Sequence, residues 1–208
     1  MENEEKVIIF QVHGSNMLEE RSFDYGFMTI FWGLVITFFD FRINGFNLIP
    51  DFVGYVLVMI GVAKTMRLDY RFGQARTAAI ILIPLSLPDI IEFPAGDPFW
   101  PISIISGFCY LVFIWVFLGG IKSVAESHGN ASLAELAYKV LIATFVIRGV
   151  NLTFSLIVNL LGSSAGAIIL LVVPLVFVGL LVGVLVLYVV YRASQEISLP
   201  AAQSEPLQ

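Results

Sequence analysis

The chain has 208 residues, 58% of them hydrophobic and only 13% charged, with a mean hydropathy of +0.91, where an ordinary soluble domain is about half apolar and a quarter charged. A water-soluble fold of this size has too little interior to hide so much apolar surface, so the composition describes an integral membrane protein. The net charge is −5 and the eleven Lys and Arg are scattered, which leaves no basic stripe to follow a phosphate backbone and excludes nucleic acid as a partner.

Residues 1–24 begin with acids and lack a small-residue cleavage site behind an apolar core, so they read as a cytoplasmic N-terminal segment and not as a removable signal peptide. Within them, the apolar stretch 7–12 is too short to cross a bilayer and is expected as a frayed end. Apolar runs of spanning length follow at 25–41, 47–63, 75–93, 99–121, 136–161 and 164–191. The expected fold is all-α: a polytopic transmembrane helix bundle of about six spans filling 25–193, with 194–208 a disordered cytoplasmic tail.

Direction follows from the positive charges. Lys6, Arg21, Lys64, Arg67, Arg71, Arg76, Lys122, Lys139 and Arg192 all fall on one side if both termini are cytoplasmic, while the opposite connections hold Arg42 among the acids Asp40, Asp51, Glu92 and Asp97. Cytoplasmic loops collect Lys and Arg, so both termini are expected inside. Trp32, Trp100, Trp115, Tyr55, Tyr110, Tyr138, Tyr188 and Tyr191 mostly fall toward span ends, where an amphipathic ring prefers to sit.

The first hairpin is the most distinctive stretch. Asn44-Gly45 is a turn pair, Asn47 can cap a helix, and Pro50 with Asp51 suits a first helical turn. On that reading these residues simply start the second span. The functional reading places Asp51, about 7 Å below the span entrance at about 1.5 Å per residue, in a polar cavity. Residues 26–66, above all the Asn-Gly turn and Leu48-Ile49-Pro50-Asp51-Phe52-Val53-Gly54-Tyr55, resemble a group of uncharacterised multi-span bacterial membrane proteins. The resemblance implies a bacterial cytoplasmic membrane; it implies no activity and carries over no functional residue.

The third span holds Pro84 and Pro88, four apart, followed by Asp89 and Glu92. Each proline removes a backbone hydrogen bond and clashes with the preceding turn, so a kink or break is expected, with Ser86 able to cap a short new helix. Interrupted helices line substrate sites in transporters, although a proline kink that serves only shape is commoner.

Arg148 falls near the middle of the fifth span, and Asn151, Ser155 and Asn159 recur at helical spacing from it, drawing a polar stripe along one face. An arginine there costs about 2.5 to 3.5 kcal/mol on insertion scales, so it is expected to meet a carboxylate from another helix, Asp89 first and Asp51 second. The bland reading of the stripe is helix–helix hydrogen bonding worth about 0.6 kcal/mol per bond. In the last span, Gly162 with Gly166 and Gly179 with Gly183 have small-xxx-small spacing, suited to close packing within the chain or to a homo-oligomer face through Gly179 and Gly183. That run is long enough to tilt, protrude or kink near Pro174.

Enzyme chemistry has no candidate residues. His13 and His128 lie outside the spans, Cys109 is the sole cysteine, and no glycine-rich phosphate loop or Cys/His cluster occurs. An Asp51–Asp89 dyad would lack any recognisable motif. The chain is accordingly expected to be a non-enzyme that needs no cofactor and no metal. Two functional classes remain. The first binds or moves a small solute or ion through a charged centre of Arg148, Asp89, Asp51, Asn151 and Glu92. The second is a non-catalytic membrane accessory protein that packs against a partner complex and uses its charges for internal bracing. A water-filled route ending at Arg148 favours the first; a dry bundle with an apolar groove on the sixth helix favours the second.

Overall fold

The computed structural model describes residues 26–39, 42–43, 46–47, 50–90, 99–161 and 165–197, with side chains over 26–39, 50–88, 99–157 and 173–197. The segment 1–24, the turn Asn44-Gly45, Glu92 and the tail beyond 197 lie outside the described residues.

Six helices account for nearly all of these residues: α1 (Gly26–Phe38), α2 (Asp51–Thr65), α3 (Tyr70–Leu85), α4 (Trp100–Ser127), α5 (Ala131–Leu161) and α6 (Ala165–Glu196). Between α1 and α2, a two-residue antiparallel pair, β1 (Arg42–Ile43) with β2 (Phe46–Asn47), brackets the Asn-Gly position. Among the described residues, three helices are long and apolar enough to cross a membrane: Trp100–Ser127, Ala131–Ile157 and Val173–Glu196. The first three are shorter. At about 1.5 Å per residue, the 15 residues of α2 and the 16 of α3 reach some 22 to 24 Å, less than the hydrocarbon core of about 30 Å.

Local chemistry sets the boundaries. Pro50 stands at the N-cap of α2, one residue ahead of the expected first turn, and Asp51 opens the helix where the dipole favours an acid. At α3, the carboxylate of Asp69 accepts from the Arg71 amide at 2.8 Å. This cap starts α3 at Tyr70, ahead of the apolar run that marked the third span from 75. The α-helix ends at Leu85, one residue past Pro84; the Ser86 hydroxyl donates back to the Ile83 carbonyl at 2.9 Å, and a single 3-10 turn, Leu87–Ile90, follows. The third segment is therefore broken where its prolines fall, with a 3-10 turn in place of a new α-helix. Gly129, with φ of +71°, turns the chain between α4 and α5, a conformation glycine adopts at no steric cost. Helix α6 runs on through Glu196, and Ser194 and Ile197 are buried, so the helical body extends past the expected tail boundary at 194. The Arg192–Glu196 ion pair one turn apart supports that extension.

Successive helices pack on one another from α2 to α6, and α6 returns to α1 through Phe31 against Tyr191, with ring centroids 6.2 Å apart, and through Phe38, seated on Gly183. The helices thus close into a ring. Helices α1 and α2 meet backbone to backbone. A Cβ added to Gly33 would lie 2.7 Å from the Gly54 carbonyl oxygen, and one added to Gly61 would lie 2.7 Å from that of Gly26. Such close approach is how helices gain van der Waals contact in a medium that supplies no hydrophobic drive between them.

The two ends of the ring differ. At the end that carries the α2–α3 and α4–α5 connections, the rings of Phe27, Phe72, Phe117 and Phe113 form a chain with centroid separations of 6.0, 6.0 and 5.5 Å, and each residue is at most 2% exposed. At the other end burial fails: the buried residues of α5 stop at Thr144, and none of its described side chains from 145 to 157 is buried. That open half holds the cavity.

Candidate polar cavity

A cavity of about 610 Å³ lies among α1, α2, α4, α5 and α6 at the loosely packed end of the ring. Its volume falls within the range of about 300 to 1,000 Å³ usual for small-molecule sites. Three of its walls are stripes at helical spacing. Helix α5 contributes Arg148, Asn151, Leu152 and Ser155; α4 contributes Ser103, Ser106, Gly107 and Tyr110; α2 contributes Asp51 and Tyr55. Residues three, four and seven apart lie one above another on a helix face, so each stripe turns its polar groups inward and leaves apolar ones outward. Thr37 closes the polar wall from α1, and Leu34, Phe38, Leu175, Leu180 and Leu187 form much of the apolar remainder.

Arg148 sits just past the midpoint of α5. Its guanidinium carbon lies over the ring of Tyr110, 5.1 Å from the centroid, a cation–π contact worth about 0.5 to 2 kcal/mol depending on desolvation. Tyr110 is held in turn against Phe113 at 6.2 Å, so the cation caps the aromatic chain of the packed end. Tyr110 lies well inside α4, not at a span end, because its polar tip is served by the cavity instead of by the membrane interface.

The structure thus brings Arg148, Asp51 and Asn151 to one cavity. It does not pair Arg148 with Asp51. Among the described residues no carboxylate oxygen comes within 4.0 Å of a nitrogen of Arg148, and the ion pairs found there, Lys122–Glu126, Lys139–Glu135 and Arg192–Glu196, each join one helical turn. The geometric reason is that Arg148 turns to the Tyr110 ring on α4, while Asp51, at the first residue of α2, has an interaction of its own. Asp89 belongs to the 3-10 turn after α3; its side chain, like that of Asn159 and the whole of Glu92, lies outside the described residues. Gly179 and Gly183 also line the cavity, and the notch at Gly183 is filled from within the chain by Phe38. No group of His, Cys, Asp and Glu that could hold a metal occurs among the described residues.

Thr37, Ser103 and Ser106 join the site without having been singled out from the sequence, and Tyr55 and Tyr110 join it although the sequence marked them only as span-end aromatics. The spacing of Ser103, Ser106 and Tyr110 on α4 was a usable signal, since it repeats the period of the Arg148 stripe. Comparison with protein-family models, with curated proteins and with solved structures gives no match.

Proposed function

We propose that this chain crosses a bacterial cytoplasmic membrane six times, with both termini inside, and binds or passes a small solute or ion through the cavity at Arg148. The observation that carries this reading is that an arginine in the middle of a long apolar helix faces a cavity whose walls mix polar and apolar side chains, with no described carboxylate seated on it. Intramembrane charge is expensive and marks ligand or ion pathways by default. A dry bundle braced by its charges, as an accessory protein would use, has no need of an open volume with Arg148 and several hydroxyl groups on its walls. The charge asymmetry of the connections supports the six crossings and their direction, which puts the cavity in the outer half of the bundle. The shorter α1 to α3 then serve as spans in a locally thinned bilayer or with flanking residues reaching out to the interface. The resemblance of residues 26–66 supports the bacterial membrane. No catalytic role is part of this reading.

Reconstitution into proteoliposomes and measurement of uptake and binding over a panel of small solutes tests it. At least one solute should be retained, and Arg148→Ala should abolish the retention. A panel handled identically by empty, wild-type and Arg148→Ala liposomes counts against a solute site. For topology, single cysteines at Ser127 and Ala95 in a Cys109→Ser background should label from opposite sides; labelling from one side would end the six-span model.

A further inference from the structure

We propose that the cavity takes an amphiphilic monoanion, with a carboxylate or phosphate head held at Arg148 and a hydrocarbon body along Leu152, Leu175 and Leu180. This rests on the reading of the cavity as a solute site and adds its chemical class.

Charge sets the head group. Among the described residues no carboxylate oxygen lies within 4.0 Å of a nitrogen of Arg148. Asp51 is the one acid on the cavity wall among the described residues, and it is engaged in an interaction of its own. The wall therefore carries one cation, Arg148, with no described carboxylate seated on it, and one acid, Asp51, on a different helix. A guanidinium resting on an aromatic face can still present its donor fork to a planar or tetrahedral oxyanion, the geometry that makes arginine the usual partner of carboxylate and phosphate. Asn151 on the Arg148 wall and Ser106 on the α4 wall line the same cavity and add neutral donors for a second oxygen.

Size and polarity set the body. A bare inorganic anion would leave most of about 610 Å³ unfilled, and the aliphatic side chains of α5 and α6 give it nothing to replace its hydration. Those side chains are what a hydrocarbon body packs against. Val176 and Leu180 line the cavity and are also 52% and 44% exposed. At α6 the cavity wall is thus continuous with the outside of the bundle, so a chain longer than the cavity can run out along α6. A cation would face Arg148 directly, and a fully polar solute would strand its hydroxyls against leucine.

The experiment is equilibrium binding to the full chain in neutral phosphatidylcholine nanodiscs, with octanoate, octylphosphonate, octanamide and octylammonium as probes of matched length. Octanoate and octylphosphonate should bind saturably and octylammonium should not, while octanamide should bind at least about tenfold more weakly than octanoate. Arg148→Gln should weaken octanoate by about tenfold or more, and Arg148→Lys, which keeps the charge but loses the fork, by less. The comparison among probes uses the wild-type chain, so it stands even if Arg148→Gln does not fold. Equal binding of octanamide and octanoate overturns the anion class while leaving a solute site in place. Absence of saturable binding by all four probes overturns the proposal, and the proteoliposome panel then decides the broader reading separately. Where octanoate binds, its displacement by phosphatidate in the nanodisc assigns the head group to a lipid; indifference to phosphatidate assigns it to a free organic anion.

Discussion

The guanidinium carbon of Arg148 lies 5.1 Å from the ring centroid of Tyr110, and that ring is the last member of an aromatic chain running from Phe27 through Phe72, Phe117 and Phe113. The cation is thus seated on a rigid wall. Tyr110→Phe keeps the ring face and should hold Arg148 as before. Tyr110→Leu keeps an apolar side chain but removes the quadrupole, and should lower stability by about 0.5 to 2 kcal/mol, with a matching loss of any anion binding. Thermal unfolding of the purified variants in detergent reads the difference; equal midpoints for the two would show that the ring face contributes nothing.

Helices α1 and α2 are tied by glycine contact on both sides of their interface. Gly33→Leu and Gly61→Leu should each destabilise by about 1 to 3 kcal/mol or more, since the added side chain meets backbone, which cannot yield as a side-chain tip can. Gly149 gives the control. Nothing lies within 4 Å of a Cβ added there, so Gly149→Ala should leave the unfolding midpoint unchanged or raised by helix propensity. A loss from Gly149→Ala matching that from Gly61→Leu would contradict the packing described for α1 and α2.

At the packed end, Asn130 does two jobs. Its Oδ1 accepts from the Leu133 amide at 3.0 Å, which caps α5, and its Nδ2 donates to the Glu196 carboxylate, itself bonded by Arg192 Nε at 2.6 Å. Asn130→Ser keeps the cap and loses the tie to α6, whereas Asn130→Ala loses both. The alanine variant should therefore be the less stable, by about 1 kcal/mol for the missing cap, and amide exchange in the first turn of α5 should quicken in it alone. Equal stability of the two variants would mean that the cap carries no weight here.

The parts of this fold readable in the sequence were those with a strong one-dimensional signal. Helices α4 to α6 announce themselves by uninterrupted apolar length, the break after Leu85 by Pro84 and Pro88, and the Arg148 stripe by its helical period. The seams were not readable. Gly26 with Gly33 and Gly54 with Gly61 are seven apart, outside the small-xxx-small pattern, and they mean something only once α1 and α2 are known to be antiparallel neighbours. For the same reason the Gly179 and Gly183 spacing left packing within the chain and a homo-oligomer face both open; Phe38 of the same chain fills the notch at Gly183. The cavity hydroxyls of α1, α2 and α4 are single polar residues within apolar runs, and nothing local distinguishes those beside a cavity from those in the packed half; Thr37 lines the cavity although its hydroxyl donates to the Leu34 carbonyl of its own helix at 3.1 Å. Thr144 shows the contrast: it is 2% exposed and its hydroxyl donates to the Val140 carbonyl at 2.7 Å.

That contrast gives the most discriminating test of the cavity, because the rate at which a thiol is labelled reports water and local charge together. In a Cys109→Ser background, Ser106→Cys places a near-isosteric thiol on the α4 wall of the cavity that Arg148 lines from α5. Thr144→Cys places one in the packed half. Phe177→Cys places one on α6 at a position 67% exposed, facing lipid in the six-span reading. A cysteine reacts with a methanethiosulfonate as its thiolate, which attacks the reagent's sulfur and displaces sulfinate, and the thiolate forms most readily where water and favourable charge stabilise it. A membrane-impermeant methanethiosulfonate added from outside should therefore label Ser106→Cys and spare both Thr144→Cys and Phe177→Cys. The nearby guanidinium should also separate reagents by sign, with the anionic sulfonatoethyl reagent reacting faster than the cationic trimethylammonium one, on the order of tenfold at low salt. Arg148→Gln should remove that preference without closing the cavity to water. Labelling of Phe177→Cys at the rate of Ser106→Cys would show that exposure to solvent, and not the cavity, governs reaction. Reaction of Ser106→Cys only from the cytoplasmic side would invert the topology, and no reaction at all would mean that the space beside Arg148 is dry.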